Sequence, residues 1–232
     1  MDTSQLIFQI IPLAWAAAIS PTAFSFFLIM MSMTDNPRLA GMSFYIGAII
    51  VFLITVIIGI LLGNSLTSTG NANPATLAAI DMFLGAILIL LGIKNIFGKK
   101  SEKQSGALLN YLKVEDTASN IHKFKKYFTV GFLTFLINFS TAIFVLAAAR
   151  QIGVADSGIF TNIAAIIVLG VITLIIIEIP LIFFLLFPKT GEKAMKPVDD
   201  WISSHGNMIV ALFLIAIGAY VIYNGFGKLG MA

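Results

Sequence analysis

The sequence contains no cysteine. That excludes disulfide scaffolds, thiolate metal sites and thiol redox chemistry together. Charge is nearly as scarce: only 11% of the 232 residues are Asp, Glu, Lys or Arg. A soluble domain usually carries about 25%, so most of this surface faces something other than water. His is limited to His122 and His205, and neither has a companion at metal-ligand spacing. Both are expected at the surface. Phosphate loops, nucleophile elbows and paired intramembrane aspartates are also missing. No enzyme, cofactor or metal site is expected.

What is present is apolar sequence in long runs. The chain is 59% hydrophobic, and its blocks reach the length of about 20 residues that a bilayer requires. Six of them stand out: Leu6 to Met31, Gly41 to Gly63, Thr76 to Phe97, Phe128 to Ala149, Ile159 to Phe187 and Asn207 to Phe226. Turn formers separate them at Asp35-Asn36-Pro37, Gly70-Asn71-Ala72-Asn73-Pro74 and Ala155-Asp156-Ser157-Gly158. The first block follows a terminus without Lys or Arg and is too long for a signal-peptide core, so it is read as a retained helix. The long polar stretch, Gly98 to Tyr127, is Lys-rich and predicts a short amphipathic helix around Leu108 to Val114.

Cationic residues orient the spans. With six crossings, one side collects Arg38, Lys94, Lys99, Lys100, Lys103, Lys113, Lys123, Lys125, Lys126, Lys189, Lys193 and Lys196. The other has Arg150 and Lys228. The expectation is a multi-pass plasma-membrane protein with both termini outside and the Lys-rich stretch in the cytoplasm. That stretch is read as an anchor near anionic lipid rather than a nucleic-acid arm.

The chain also carries a tandem echo. The third block closes on Asn95-Ile96-Phe97-Gly98-Lys99 and the sixth on Asn224-Gly225-Phe226-Gly227-Lys228. The first holds Ser20-Pro21-Thr22 and the fourth holds Asn138-Phe139-Ser140-Thr141. Three spans per unit is an odd number, so two such units lie with opposite orientations. The expected fold is therefore all-α and integral to the membrane: six transmembrane helices as two inverted three-helix repeats, residues 1–97 and 128–232, joined by the loop 98–127.

Candidate chemistry sits at the breaks and at buried carboxylates. Pro21 removes a backbone donor and frees a carbonyl near Ala17. Ser20, Pro21 and Thr22, with Asn138, Ser140 and Thr141, are expected to form a substrate or ion site from corresponding breaks in the two halves. The ordinary alternative for Pro21 is a packing kink. Asp81 and Glu178 are the carboxylates placed inside spans, where a charge costs at least ~2.5 kcal/mol. Either could carry a proton; Asp81 could instead cap its helix at the interface. Gly59 with Gly63, and Ala14 with Ala18, are read as close-packing positions.

From Glu178 onward, Pro180, the Phe/Leu run, Phe187-Pro188-Lys189-Thr190-Gly191-Glu192-Lys193, Trp201 and Gly218 resemble the GAP family, the sulfolipid- and glycopeptidolipid-addressing proteins. Ala18-Ile19-Ser20-Pro21-Thr22, Asn36-Pro37-Arg38, Ala40-Gly41, Phe44 and Gly47 agree with it in the first half. The resemblance covers most of the chain apart from the Lys-rich stretch. It implies membership of the LysE exporter superfamily, a six-helix plan, and export, or help in export, of a small molecule or lipid; the mechanism expected from the spans and their carboxylates is alternating access, coupled to protons through Glu178 or Asp81. Two readings stand beside it: an accessory protein assisting a larger lipid exporter, and a LysE-type amino-acid exporter. Against the last, Pro21 is followed by Thr22 where such exporters carry Pro-Gly-Pro. Expected partners are membrane lipids, the transported small molecule or lipid, and protons, with no nucleic acid; a homo-oligomer stays open.

Overall fold

A computed structural model describes residues 3–34, 36–68, 74–97, 119–155, 157–187 and 191–228. These residues form helices and no strands. In chain order they are α1 (Thr3–Ala18), α2 (Pro21–Ser32), α3 (Pro37–Ser68), α4 (Pro74–Phe97), α5 (Asn120–Leu136), α6 (Phe139–Val154), α7 (Ile159–Leu186) and α8 (Gly191–Lys228). The predicted amphipathic helix around Leu108 to Val114 lies outside the described residues.

Three helices, α3, α7 and the Ser204–Gly227 part of α8, are long and apolar enough to cross a membrane. Counting each bent pair, α1 with α2 and α5 with α6, as one span brings the number to five. In α4 the apolar stretch among the described residues is Gly85–Phe97, shorter than a span. Large apolar side chains point outward around the whole bundle, among them Phe160 at 85% exposure and Phe97 at 80%. That is the surface of a protein whose solvent is hydrocarbon.

Local chemistry explains where the elements stop. Of the two readings of Pro21, a kink in a continuous helix and a helix break, the structure has the break. Pro21 opens a new helix at the first position, where its missing N–H costs nothing. Ser20 caps that helix by accepting from the Ala23 amide at 3.3 Å. The fourth block is longer than its apolar run: α5 starts at Asn120, inside the stretch read as loop. Ser119 caps it by accepting from the His122 amide. The last block also starts early. Residues 191–206, read as a connection, are helical and continuous with the final span, with Pro197 inside.

The packing pairs the residues before the Lys-rich stretch with those after it. α3 crosses α5 where Phe44 and Gly47 meet Phe128, Gly131 and Phe132, and runs parallel to α6, where Gly59 meets Ala149 and Gly63 meets Gly153. Just before α3, the Thr34 and Tyr127 hydroxyls are 2.9 Å apart. α1 starts beside the start of α7, with the Thr3 and Thr161 hydroxyls 2.9 Å apart. α3 and α7 are antiparallel, as Gly41 faces Leu181 and Phe52 faces Gly170. α4 and α8 are antiparallel and pass closest at Gly85 and Gly218. A Cβ on Gly85 would sit 2.6 Å from the Gly218 carbonyl, and one on Gly218 would sit 2.7 Å from that of Gly85. Small residues are what allow helix backbones to touch in lipid. The expected packing roles of Gly59 and Gly63 fit this pattern, and Ala14 and Ala18 are buried.

Candidate functional site

Two helix breaks meet at the middle of the bundle. The first, between α1 and α2, bends the chain by 53°; the second, between α5 and α6, bends it by 71°. The second has no proline. Asn138 sits at the N-cap of α6 but its side chain makes no capping bond there. Instead its amide nitrogen donates to Ser20 Oγ at 2.5 Å, and its amide oxygen accepts from Ser140 Oγ at 2.9 Å. The amide thus gives up a local cap, worth about 1 kcal/mol, to bond across to the other break.

A second bond crosses the same gap. The residue four before Pro21 is Ala17, whose carbonyl cannot find its usual helical donor. Thr141 Oγ1 donates to that carbonyl at 3.0 Å. An unpaired backbone group in hydrocarbon costs several kcal/mol, so the opposing break supplies a donor that the end of α1 lacks. Ser20 and Thr141 are both buried.

The depth of this cluster follows from its neighbours. A small cavity beside it, of about 10 Å³, is lined by Val51, Phe52, Thr55, Phe135, Thr141 and Thr173, among others. Residues 51–55 are the midpoint of α3, and Thr173 is the midpoint of α7. Such a volume is about what one water needs. Thr173 is 1% exposed, and its hydroxyl has no partner. Thr55 uses its proton on the Val51 carbonyl. The lining is neutral: hydroxyls and apolar groups, without a charge.

The sequence-predicted residues divide as follows. Ser20, Asn138, Ser140 and Thr141 come together. Pro21 lies next to them and packs on Gly206 of α8. Thr22 is exposed and makes no described bond to the cluster. Glu178 is elsewhere, closer to the far end of α7. It is half-buried and accepts from Tyr45 Oη at 2.6 Å. Pro180, two residues on, leaves the Ile176 carbonyl without its helical donor. Asp81 lies on α4, with its side chain outside the described residues. Both His122 and His205 are exposed, and the described residues contain no cluster of metal-ligating side chains.

Three participants carried no signal in the sequence. Tyr45 partners Glu178 from α3. Thr173 lines the cavity. Asp199 on α8 accepts from Ser25 Oγ of α2 at 2.7 Å. Tyr45 and Asp199 reach partners more than a hundred residues away and Thr173 stands in an otherwise apolar run, so only the packing reveals them.

The profile of the family described as Sap, sulfolipid-1-addressing protein, matches residues 10–227. No curated protein and no solved structure matches the chain.

Proposed function

The chain belongs to the sulfolipid-1-addressing protein family, a family of membrane proteins tied to lipid addressing, and from that premise we propose that it moves a lipid or small amphiphile outward by alternating access. In this reading α1 with α2, and α5 with α6, each form one broken span, α4 spans as well, and the two three-span units are inverted repeats. The order of elements supports it: each unit runs broken pair, long helix, third helix. The directions of packing support it too, since parallel and antiparallel pairs all agree with six crossings.

One observation carries the proposal: the hydrogen bonds that join the two breaks, Asn138 to Ser20 and Thr141 to the Ala17 carbonyl. Discontinuous helices meeting between two repeats are where secondary transporters place their binding sites. Here the groups are neutral donors and acceptors, suited to hydroxyl, ester or glycosyl oxygen rather than to a bare charge. Rocking one unit against the other would exchange these bonds for bonds to the passing headgroup. Glu178, bonded to Tyr45 on the long helix of the other unit, is the group proposed to couple this movement to protons.

The test is lipid translocation in proteoliposomes, using a fluorescent lipid whose outer-leaflet fraction is quenched by dithionite. Addition of the protein should accelerate translocation, and Asn138→Ala and Ser20→Ala should each slow it about tenfold or more while remaining folded. Unaltered rates in both variants would overturn the site.

The small cavity favours a second reading, an accessory protein without a pathway of its own. A volume of about 10 Å³ admits no headgroup. The same assay separates the two: an accessory protein leaves translocation at the protein-free rate for every lipid offered.

A further inference from the structure

The outward face of α1 is not uniformly apolar. The buried positions of this helix include Leu6, Ile10, Leu13, Ala14 and Ala17. With 3.6 residues per turn, Gln5, Phe8, Gln9, Pro12 and Trp15 occupy the opposite arc, about 120° wide, with Pro12 at its middle. Gln5 and Gln9 lie to one side of Pro12, Phe8 and Trp15 to the other. All five are exposed, Phe8 at 79% and Trp15 at 47%. Pro12 has no N–H, so the Phe8 carbonyl lacks its helical donor and opens on the same arc. The side chains of Gln5, Gln9 and Trp15 make no hydrogen bond among the described residues. Their depth follows from Ala17, whose carbonyl bonds Thr141 of the central cavity. At 1.5 Å per residue, Trp15 is about 3 Å and Gln9 about 12 Å along the helix from that level, within the half-thickness of about 15 Å of the hydrocarbon. Tryptophan ordinarily favours the interface, and an amide facing hydrocarbon without a partner is costly. Thr22, exposed just past the break, adds a hydroxyl at the lower end.

We propose that this arc of α1 is a track for the headgroup of an amphiphile between the break at Ser20 and the outer leaflet, the tails staying in the surrounding bilayer. The inference rests on the transport reading for its direction, while its test needs no flux. The cavity of about 10 Å³ admits no headgroup, so a headgroup that reaches the break comes along the flank. The arc offers what headgroup oxygens and hydroxyls require: the Gln amides donate and accept, the indole N–H donates and the Phe8 carbonyl accepts. None carries a charge that would hold the headgroup in place. A second copy of the chain suits the arc less well. Helices that dock in lipid approach through small residues, and Phe8, Pro12 and Trp15 hold another backbone away.

Trp15 itself is the reporter. The chain has two tryptophans, so Trp201→Phe leaves Trp15 as the sole emitter. The full-length protein would be placed in phosphatidylcholine vesicles containing phosphatidylcholine spin-labelled either on the headgroup or deep on an acyl chain. The headgroup label should quench Trp15 as strongly as the chain label, despite the depth of the ring. Gln9→Leu should lower headgroup quenching about threefold and leave chain quenching unchanged, and Gln9→Asn, which keeps an amide, should retain most of both. Quenching by the chain label alone would overturn the track. So would headgroup quenching that Gln9→Leu leaves intact, or quenching by neither label, which would put protein over the arc. These readings are made at equilibrium and fail separately from transport. A protein that accelerates translocation while Trp15 meets the chain label alone keeps the transport reading and loses the track. The reverse combination keeps the arc as a headgroup site and removes the transport reading.

Discussion

Thr141 and Thr173 are both buried threonines on helices that meet at the central cavity, yet they predict opposite mutational outcomes. Thr141 donates to the Ala17 carbonyl, so Thr141→Val strands a backbone acceptor. Stability in bicelles should fall by about 1–2 kcal/mol, while Thr141→Ser, which keeps the hydroxyl, should recover most of it. Thr173 has no partner for its hydroxyl. Thr173→Val keeps the shape and removes an unsatisfied group, so it should be neutral or stabilising by up to ~1 kcal/mol. The same unfolding measurement reads both. At Glu178 the relevant readout is function. The amide of Glu178→Gln keeps the bond from Tyr45 and cannot titrate. Transport should therefore persist and lose its pH dependence. An unchanged pH profile would assign Glu178 a purely structural role and leave Asp81 as the carboxylate to test.

Helices are held apart or together here by what their closest residues lack. Gly85 and Gly218 face each other's backbone carbonyls, and no rotamer can relieve a Cβ placed there. Gly85→Val should push α4 off α8 and cost about 1–3 kcal/mol or more, read as a lowered unfolding temperature. Gly158 offers the contrast: it is the N-cap of α7 and a Cβ there meets nothing within 4 Å. Gly158→Ser adds a capping hydroxyl and should be neutral or slightly stabilising. At this scale the apolar runs announced where helices lie, because 20 uncharged residues admit few alternatives. Their ends were harder to read. Asp199, Asp200, Ser203 and Ser204 beside Pro197 resemble a connection, yet α8 runs through them, held to α2 by Asp199 on Ser25 and Gly206 on Pro21. The hydroxyl clusters at Ser20 and at Ser140-Thr141 were legible because polar groups are conspicuous in apolar runs. The bonds between them were not, since sequence carries no distance. Thr22 shares the signal of its neighbours and faces outward.

For the whole molecule, the distribution of Lys and Arg in the sequence predicts one orientation. Single cysteines can be introduced freely because the chain has none. A cysteine at Ser68 should react with an impermeant thiol reagent on intact cells, and one at Ser105 should react after lysis alone. The reverse pattern would invert the topology and with it the proposed direction of transport.

The two sides of the Lys-rich stretch are interleaved rather than adjacent. α3 lies on α5 and α6, α1 on α6 and α7, and α4 on α8, while neighbours within each side touch far less. During synthesis this has a temporal consequence. When residue 97 has been made, none of the helices that α1, α3 and α4 chiefly pack against yet exists. At about 5–20 residues per second, the 131 residues from there to Lys228 take roughly 7 to 26 seconds. During that interval the Ala17 carbonyl waits for Thr141, Gly47, Gly59 and Gly63 of α3 wait for α5 and α6, and Gly85 and Gly92 of α4 wait longest, for α8, each meanwhile facing lipid and any quality-control protease within it.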